Sequence, residues 1–371
     1  AQGLGGAMMV PVGRLVLLRS VSKADLVGAL ALVTIPALVG PIIGPPLGGF
    51  ITTYLSWRWI FWINVPIGVV GIVLALILIP TLREERPPPF DWPGFALAGA
   101  GLAAAMTGFE TVGRGMLPAP AVAVLIAGGA AALAIYVLHA RRREHPVLDL
   151  SMLRIATFRA AAFGGFLFRV GVGAIPFLLP MLLQVGFGMN PLQSGLLTFA
   201  AAAGALTMKV AARRILRRFG FRNVLVVNAL ISGASIAACA LFDATTPGGV
   251  ILAVLLIGGF FRSLEFTSIN ALGYADVPRD RMSRATSLAS VGQQLSLSIG
   301  VGLGALILHT VVSLRGGSAA VAADFAPAFA IIGAVAGAAA LVFWRLPPDA
   351  GAEVSGRAPA PTAALTPPER S

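Results

Sequence analysis

The chain has 371 residues, 57% of them hydrophobic and only 11% charged, with a formal net charge of +12. Soluble domains average about 25% charged residues, so this chain has too little polar surface to close around a core in water, and a soluble nucleic-acid-binding role is excluded despite the basic balance. The single cysteine, Cys239, lies in the apolar run SIAACALF and excludes an internal disulfide framework.

Apolar runs of about 20 residues, separated by short charged stretches, predict membrane-spanning helices. They fall at residues 1–18, 26–54, 59–80, 94–110, 119–138, 160–186, 192–212, 223–242, 248–272, 286–312 and 325–344, about eleven spans of an all-α integral membrane protein. The first run opens on AQGLGGAMMVPVG, already helix-like and without a basic leader or cleavage site, and reads as a fragment that starts inside a membrane helix. Residues 346–371, rich in proline, alanine and polar residues, predict a disordered tail.

Alternate connections hold about 20 of the 27 lysines and arginines, in RSVSKAD, TLREERPPPFDW, the long loop 139–159, RRILRRFGFRN, DVPRDRMSRA and the tail. The opposite connections hold only Arg58, Arg114 and Arg315. The positive-inside rule puts the basic set, and with it the C-terminus, in the cytoplasm of a bacterial inner membrane. The long loop divides five helices from six. The expected organisation is a bundle remnant over 1–80, two bridging helices and a loop over 81–158, a six-helix bundle over 159–345, and the tail.

Residues 40–50 read GPIIGPPLGGF. Gly40, Gly44 and Gly48 recur every four residues and predict a smooth stripe along which another helix approaches closely. Pro41 and Pro45 sit on the adjacent stripe with Gly49, and each proline frees a carbonyl four residues earlier. A kinked, closely packed membrane helix follows.

Written as G-x-x-x-G-P-x-x-G-G, residues 40–49 resemble the antiporter motif of the drug-efflux branch of the major facilitator superfamily. SWRWIFWINVPIG (56–68), GGAMMVPVGRL, FRVGVGAIPFLLPMLLQVGFG, KVAARRILRRFGFRNVLV and QQLSLSIGVG are also similar to its fourteen-helix drug:proton antiporter family, and within it to the MdtD type of multidrug transporter. The resemblance covers nearly the whole chain except the tail. It implies a monomeric alternating-access transporter with a site near the bilayer midplane, amphipathic or cationic drug-like cargo, and protons as the coupling ion. It also implies that three helices and the start of a fourth precede Ala1. The gating loop between the second and third helices, the acidic residue of the first helix, and an arginine three residues before Gln2 are then absent from this sequence.

Polar groups within apolar spans are costly and mark pathways. Arg14 is either a cavity contact or a side chain snorkelling to the interface. Arg169, in FGGFLFRVGVGAIPF, is deep enough to need a partner or a wet cavity, and Gly171, Gly173 and Pro176 predict a flexible or kinked helix beside it. Arg262 and Glu265 are three residues apart and can pair on one helix face; alternatively Glu265 titrates during transport. Asn270 extends that polar stripe. Gln293 and Gln294 either contact substrate or bond between helices. Glu110 is expected to be solvated and Lys209 to snorkel. Arg213, Arg214, Arg217, Arg218 and Gly220 form either a cytoplasmic gating latch or a lipid anchor. His139, His145 and His309 lack metal-ligand spacing, and no Walker A pattern occurs, so neither a metal nor a cofactor is expected.

Three function classes remain: proton-coupled efflux of amphipathic compounds or of an endogenous metabolite; a non-transporting membrane fragment; and a membrane-embedded enzyme. The last needs paired acids or a His/Asp cluster at membrane depth. Glu265 is the only clear deep acid, which argues against an enzyme.

Overall fold

A computed structural model describes residues 40, 43–78, 90–112, 116–278 and 281–352, except the side chains of Val210 and Arg213. Every regular element among the described residues is helical. They are α1 (43–54), α2 (Trp59–Leu78), α3 (Trp92–Thr111), α4 (Ala119–Ala140), α5 (Ala156–Met181), α6 (Pro191–Ala238), α7 (Gly248–Ala275), α8 (Met282–Leu314) and α9 (Phe325–Phe343). Seven stretches are long and apolar enough to cross a bilayer; α6 contributes Arg214–Leu241, and α3 is not among the seven. The predicted span at 94–110 is therefore a helix of lower apolarity, because glycine and alanine stand where the other helices carry leucine and valine.

Two compact units form, the first from residues 1–88 and 190–199 and the second from 89–189 and 200–371. Within the first, a β-carbon added at Gly49 would lie 2.6 Å from the Pro191 carbonyl oxygen, and one at Gly195 would collide with the Pro45 carbonyl. Gly40, Gly44 and Gly48 meet no described atom within 4 Å. Among the described residues the close helix approach thus uses the Pro45/Gly49 stripe, and the predicted Gly40/Gly44/Gly48 stripe meets no described neighbour. A glycine line meets a neighbour only where its own face is turned to one, and the facing of α1 is not fixed by spacing alone. α2 buries none of its side chains against the described residues.

In the second unit, α5 is the central element and packs against α7, α8 and α9. Its glycines are contact points on different faces: Gly173 meets the Leu297 backbone of α8, Gly171 meets Ala336 of α9, and Gly164 lies under the Phe343 ring. α5 runs unbroken past Pro176 and Pro180 to Met181 before a π turn at Leu182–Gly186. Proline's lost hydrogen bonds are tolerated where neighbours enclose the helix.

α3 and α4 pack against each other through Gly101, Gly108 and Gly129, and Gly302 of α8 sits against the Phe109 carbonyl. Exposed Glu110, expected to be only solvated, accepts a hydrogen bond from Ser298 Oγ at 3.3 Å. The loop 139–159 is ordered: Tyr136 Oη accepts from the Leu148 N–H at 2.7 Å, and Met152, in the 3-10 turn Leu150–Arg154, is wholly buried.

The basic stretch 213–222 holds the expected connection, but it is short: α6 is two helices that meet at a single non-helical residue, Gly220, with φ 74° and ψ 164°. Arginine and leucine are good helix formers, and glycine alone takes a positive φ without a steric penalty. The expected tail begins later than residue 346: Leu346 is buried, and a β-carbon on Gly351 would lie 2.8 Å from the Phe221 ring. Residues 353–371 lie outside the described residues.

Candidate functional site: a cavity beside Arg169

The charge buried in α5 sets the site. Arg169 is 6% exposed. Its Nη2 donates to Asn270 Oδ1 of α7 at 3.0 Å, and its guanidinium carbon lies 5.6 Å from the centroid of the Phe266 ring. Phe168 stacks edge-on against the same ring at 5.6 Å. Gly165, one helical turn before Arg169, makes the room: a β-carbon there would lie 2.8 Å from Arg169 Nη1 and 2.8 Å from Ile269 Cγ2. Arg169 Nε is buried and has no hydrogen-bond partner among the described residues.

Glu265, on α7, is fully buried, and both its carboxylate oxygens are without a hydrogen-bond partner among the described residues. The charged group it interacts with is Arg169. The possible Arg262–Glu265 pair does not form, because Arg262 turns toward α6. A β-carbon on Gly258 would meet both Arg262 Nη1, at 3.1 Å, and Ser235 Oγ of α6, at 2.8 Å. Three residues span about 300° of helix, enough for neighbouring side chains to serve different partner helices.

A cavity of about 310 Å³ adjoins Arg169. Phe158, Phe163 and Phe166 of α5, Ile269 of α7 and Leu288 of α8 supply its apolar wall, and Asn270, Tyr274 and Gln293 supply polar groups. Arg169 is the one charged residue among those lining it. Pockets of this kind, apolar with a few fixed polar groups, are the usual form of small-molecule sites.

Of the candidates from sequence, Arg169, Asn270 and Gln293 meet at this cavity. Glu265 stands behind Arg169 and outside the lining. Gln294 is exposed and does not line it. Lys209 reaches Thr267 Oγ1 of α7 at 3.2 Å. Arg218 lies over Phe219, while Arg214 and Arg217 are exposed. Arg14 and the Arg213 side chain lie outside the described residues. Sequence reasoning missed Phe266 and Tyr274, which look like ordinary helix aromatics. It also missed Gly165, whose signal was available as a glycine four residues before a buried arginine.

Away from the cavity, three acids are held structurally. Asp91 caps α3 by accepting from the Gly94 N–H at 3.1 Å and contacts His139 Nε2 at 2.9 Å. Burial works to raise its carboxyl pKa, but the His139 and Gly94 bonds outweigh that and hold it below the ordinary value of 3.8. Asp149 is likewise lowered, burial being outweighed by bonds from Ser151 and from Arg284 at 3.3 Å. Asp324 accepts two parallel bonds from Arg315, Nε to Oδ1 and Nη2 to Oδ2, both at 2.9 Å.

A sequence model of the Major Facilitator Superfamily matches residues 1–301 and 161–369. The chain belongs to that superfamily. It is similar to proteins carrying the name multidrug resistance protein MdtD: 39% identical over 314 residues to that of Salmonella heidelberg (strain SL476). Identity is 40% over 313 residues to those of Escherichia coli (strain SMS-3-5 / SECEC) and Shigella flexneri. Each match covers 83% of this chain and 65% of the relative, so the chain spans about two thirds of the length of these curated relatives. Family and helices together make it an all-α, multi-pass membrane protein with the major facilitator fold.

Proposed function

We propose that the protein works as a secondary transporter that exports amphipathic small molecules in exchange for protons by alternating access. The observation carrying this reading is the juxtaposition of an apolar cavity, a buried arginine and a buried carboxylate without a hydrogen-bond partner, all within membrane helices. Such groups are expensive in lipid and are retained where ions or cargo pass. Glu265 is the proton-carrying group in this reading, and Arg169, Asn270 and Gln293 face cargo. The names of the relatives and the family support export of drug-like compounds. Positive charge in the stretch 213–222 and in the loop 139–159 supports a cytoplasmic C-terminus, and the antiporter motif around Pro45 and Gly49 supports a packing role in the N-terminal bundle.

The test is cargo-dependent dissipation of an imposed pH gradient in inverted membrane vesicles, with a panel of amphipathic acids, bases and neutral compounds. Dissipation by some members of the panel, absent from vesicles lacking the protein, is expected. A folded protein that moves neither protons nor cargo with any member overturns the reading. Dissipation confined to a cellular metabolite would shift the cargo from drugs to that metabolite.

A further inference from the structure

The sequence left amphipathic and cationic cargo open, and the cavity discriminates between them. The geometry points to an amphipathic anion as the ligand of the Arg169 cavity: a flat apolar body against Phe158, Phe163 and Phe166, and a carboxylate or similar acid group on the guanidinium. This rests on the reading of that cavity as the cargo site.

Three observations carry it. First, Arg169 is the one charged residue in the lining, and no carboxylate stands there among the described residues. A cation entering would meet an arginine in an apolar wall, where like charges repel far more strongly than in water. Second, the guanidinium is incompletely used. Nη2 holds Asn270, Nη1 lies over Gly165, and Nε is buried without a partner. Arginine presents its donors as a planar fork that matches a carboxylate, and its two η nitrogens carry four N–H donors, of which Asn270 takes one. Third, the one acid that interacts with Arg169, Glu265, does not hydrogen-bond it and does not reach the cavity. It moderates the positive charge from behind without occupying the fork. Asn270 and Gln293 flank the same wall and can donate amide N–H groups to a second acceptor on the ligand.

The experiment compares three matched compounds on the purified full chain in detergent: 2-naphthoate, neutral 2-naphthylmethanol and cationic 2-naphthylmethylammonium. Binding is read by competition against radiolabelled naphthoate in a scintillation proximity assay. The expected order is anion, then neutral, then cation, with the anion favoured over the cation by roughly tenfold to a hundredfold. Arg169→Gln should remove most of that preference. Asn270→Asp supplies a second check at an exposed position, because the new carboxylate would occupy the guanidinium fork; naphthoate should weaken and the amine should gain. Preference for the amine in the unaltered protein, or no loss of naphthoate binding in either variant, overturns the assignment. Binding requires no transport, so the two readings fail separately. Anion binding without any cargo-linked proton movement would retain the ligand class and refute the transporter. Proton-coupled movement of cations alone would do the reverse.

Discussion

Two arginine–carboxylate neighbourhoods in this protein invite comparison. At the junction before α9, Arg315 and Asp324 make a two-pronged pair, Asp324 also accepts the Val321 N–H at 2.9 Å, and Arg315 Nη2 also donates to the Ala319 carbonyl at 2.7 Å. Between α5 and α7, Arg169 and Glu265 interact without a hydrogen bond, leaving three buried polar atoms unmet. The side-chain chemistry is the same and the satisfaction is opposite. A fully met pair fixes the end of a helix; an unmet pair beside a cavity is held in readiness for something that comes and goes. Burial alone does not separate the two, since Asp324 is 2% exposed and Glu265 0%. The hydrogen-bond inventory does.

The largest expected effect breaks the satisfied pair. Asp324→Ala strands Arg315 and the Val321 N–H, and should lower unfolding free energy by about 1–3 kcal/mol, read as a lower Tm in detergent. Arg315 is 41% exposed on its side chain, so water takes up part of the loss. Ligand binding per folded molecule should be unchanged. A variant of unaltered Tm would remove the structural half of the comparison.

Gly165→Ala sharpens the other half. The new methyl group falls where Arg169 Nη1 and Ile269 Cγ2 now sit. The guanidinium is the flexible end of a long side chain and can yield, but Ile269 is buried and β-branched and yields less, so stability should fall by about 1–2 kcal/mol. Affinity for 2-naphthoate should drop several-fold, because the fork is re-aimed. Unchanged affinity with a large drop in Tm would make Gly165 a packing residue only.

The smallest effect concerns pH. The Asp91 carboxyl is held below its ordinary value of 3.8, so its contribution to stability is complete above that value and is lost as pH falls from there through the lower folded value. Asp91→Asn should flatten the Tm profile in that acid window and cost less than about 1 kcal/mol at neutral pH, because asparagine caps α3 about as well as aspartate. An unchanged acid profile would show that the His139 contact carries no linkage.

How much of this was legible in sequence depended on the length scale of the signal. Helices were legible because 20-residue apolar runs have one physical explanation. The division within Pro191–Ala238 was legible, since two helices meet at Gly220 inside RRILRRFGFR; what charge alone did not show is that the connection shrinks to that one residue, because its arginines and leucine are comfortable in a helix. Arg169 and Asn270 stood out because polar groups in lipid need a reason. Their mutual bond spans 101 positions, and no local pattern predicts it. The same holds for the facing of α1. Periodicity drew the Gly40/Gly44/Gly48 stripe correctly, but which stripe meets Pro191 and Gly195 is decided by tertiary packing. Arg262 and Glu265 illustrate the limit most sharply: their spacing permits a pair, and packing sends them to different neighbours.

The most direct test of the contrast between met and unmet pairs is Glu265→Gln, measured twice on the same preparation: thermal unfolding in detergent, and cargo-dependent dissipation of a pH gradient in vesicles. Glutamine keeps the shape and removes the ionisable group from a site where nothing bonds it. The account predicts a Tm equal to or above that of the unaltered protein, together with loss of proton-coupled movement. A lowered Tm with proton coupling intact would make Glu265 a structural partner of Arg169, equivalent to Asp324 beside Arg315, and would contradict the account.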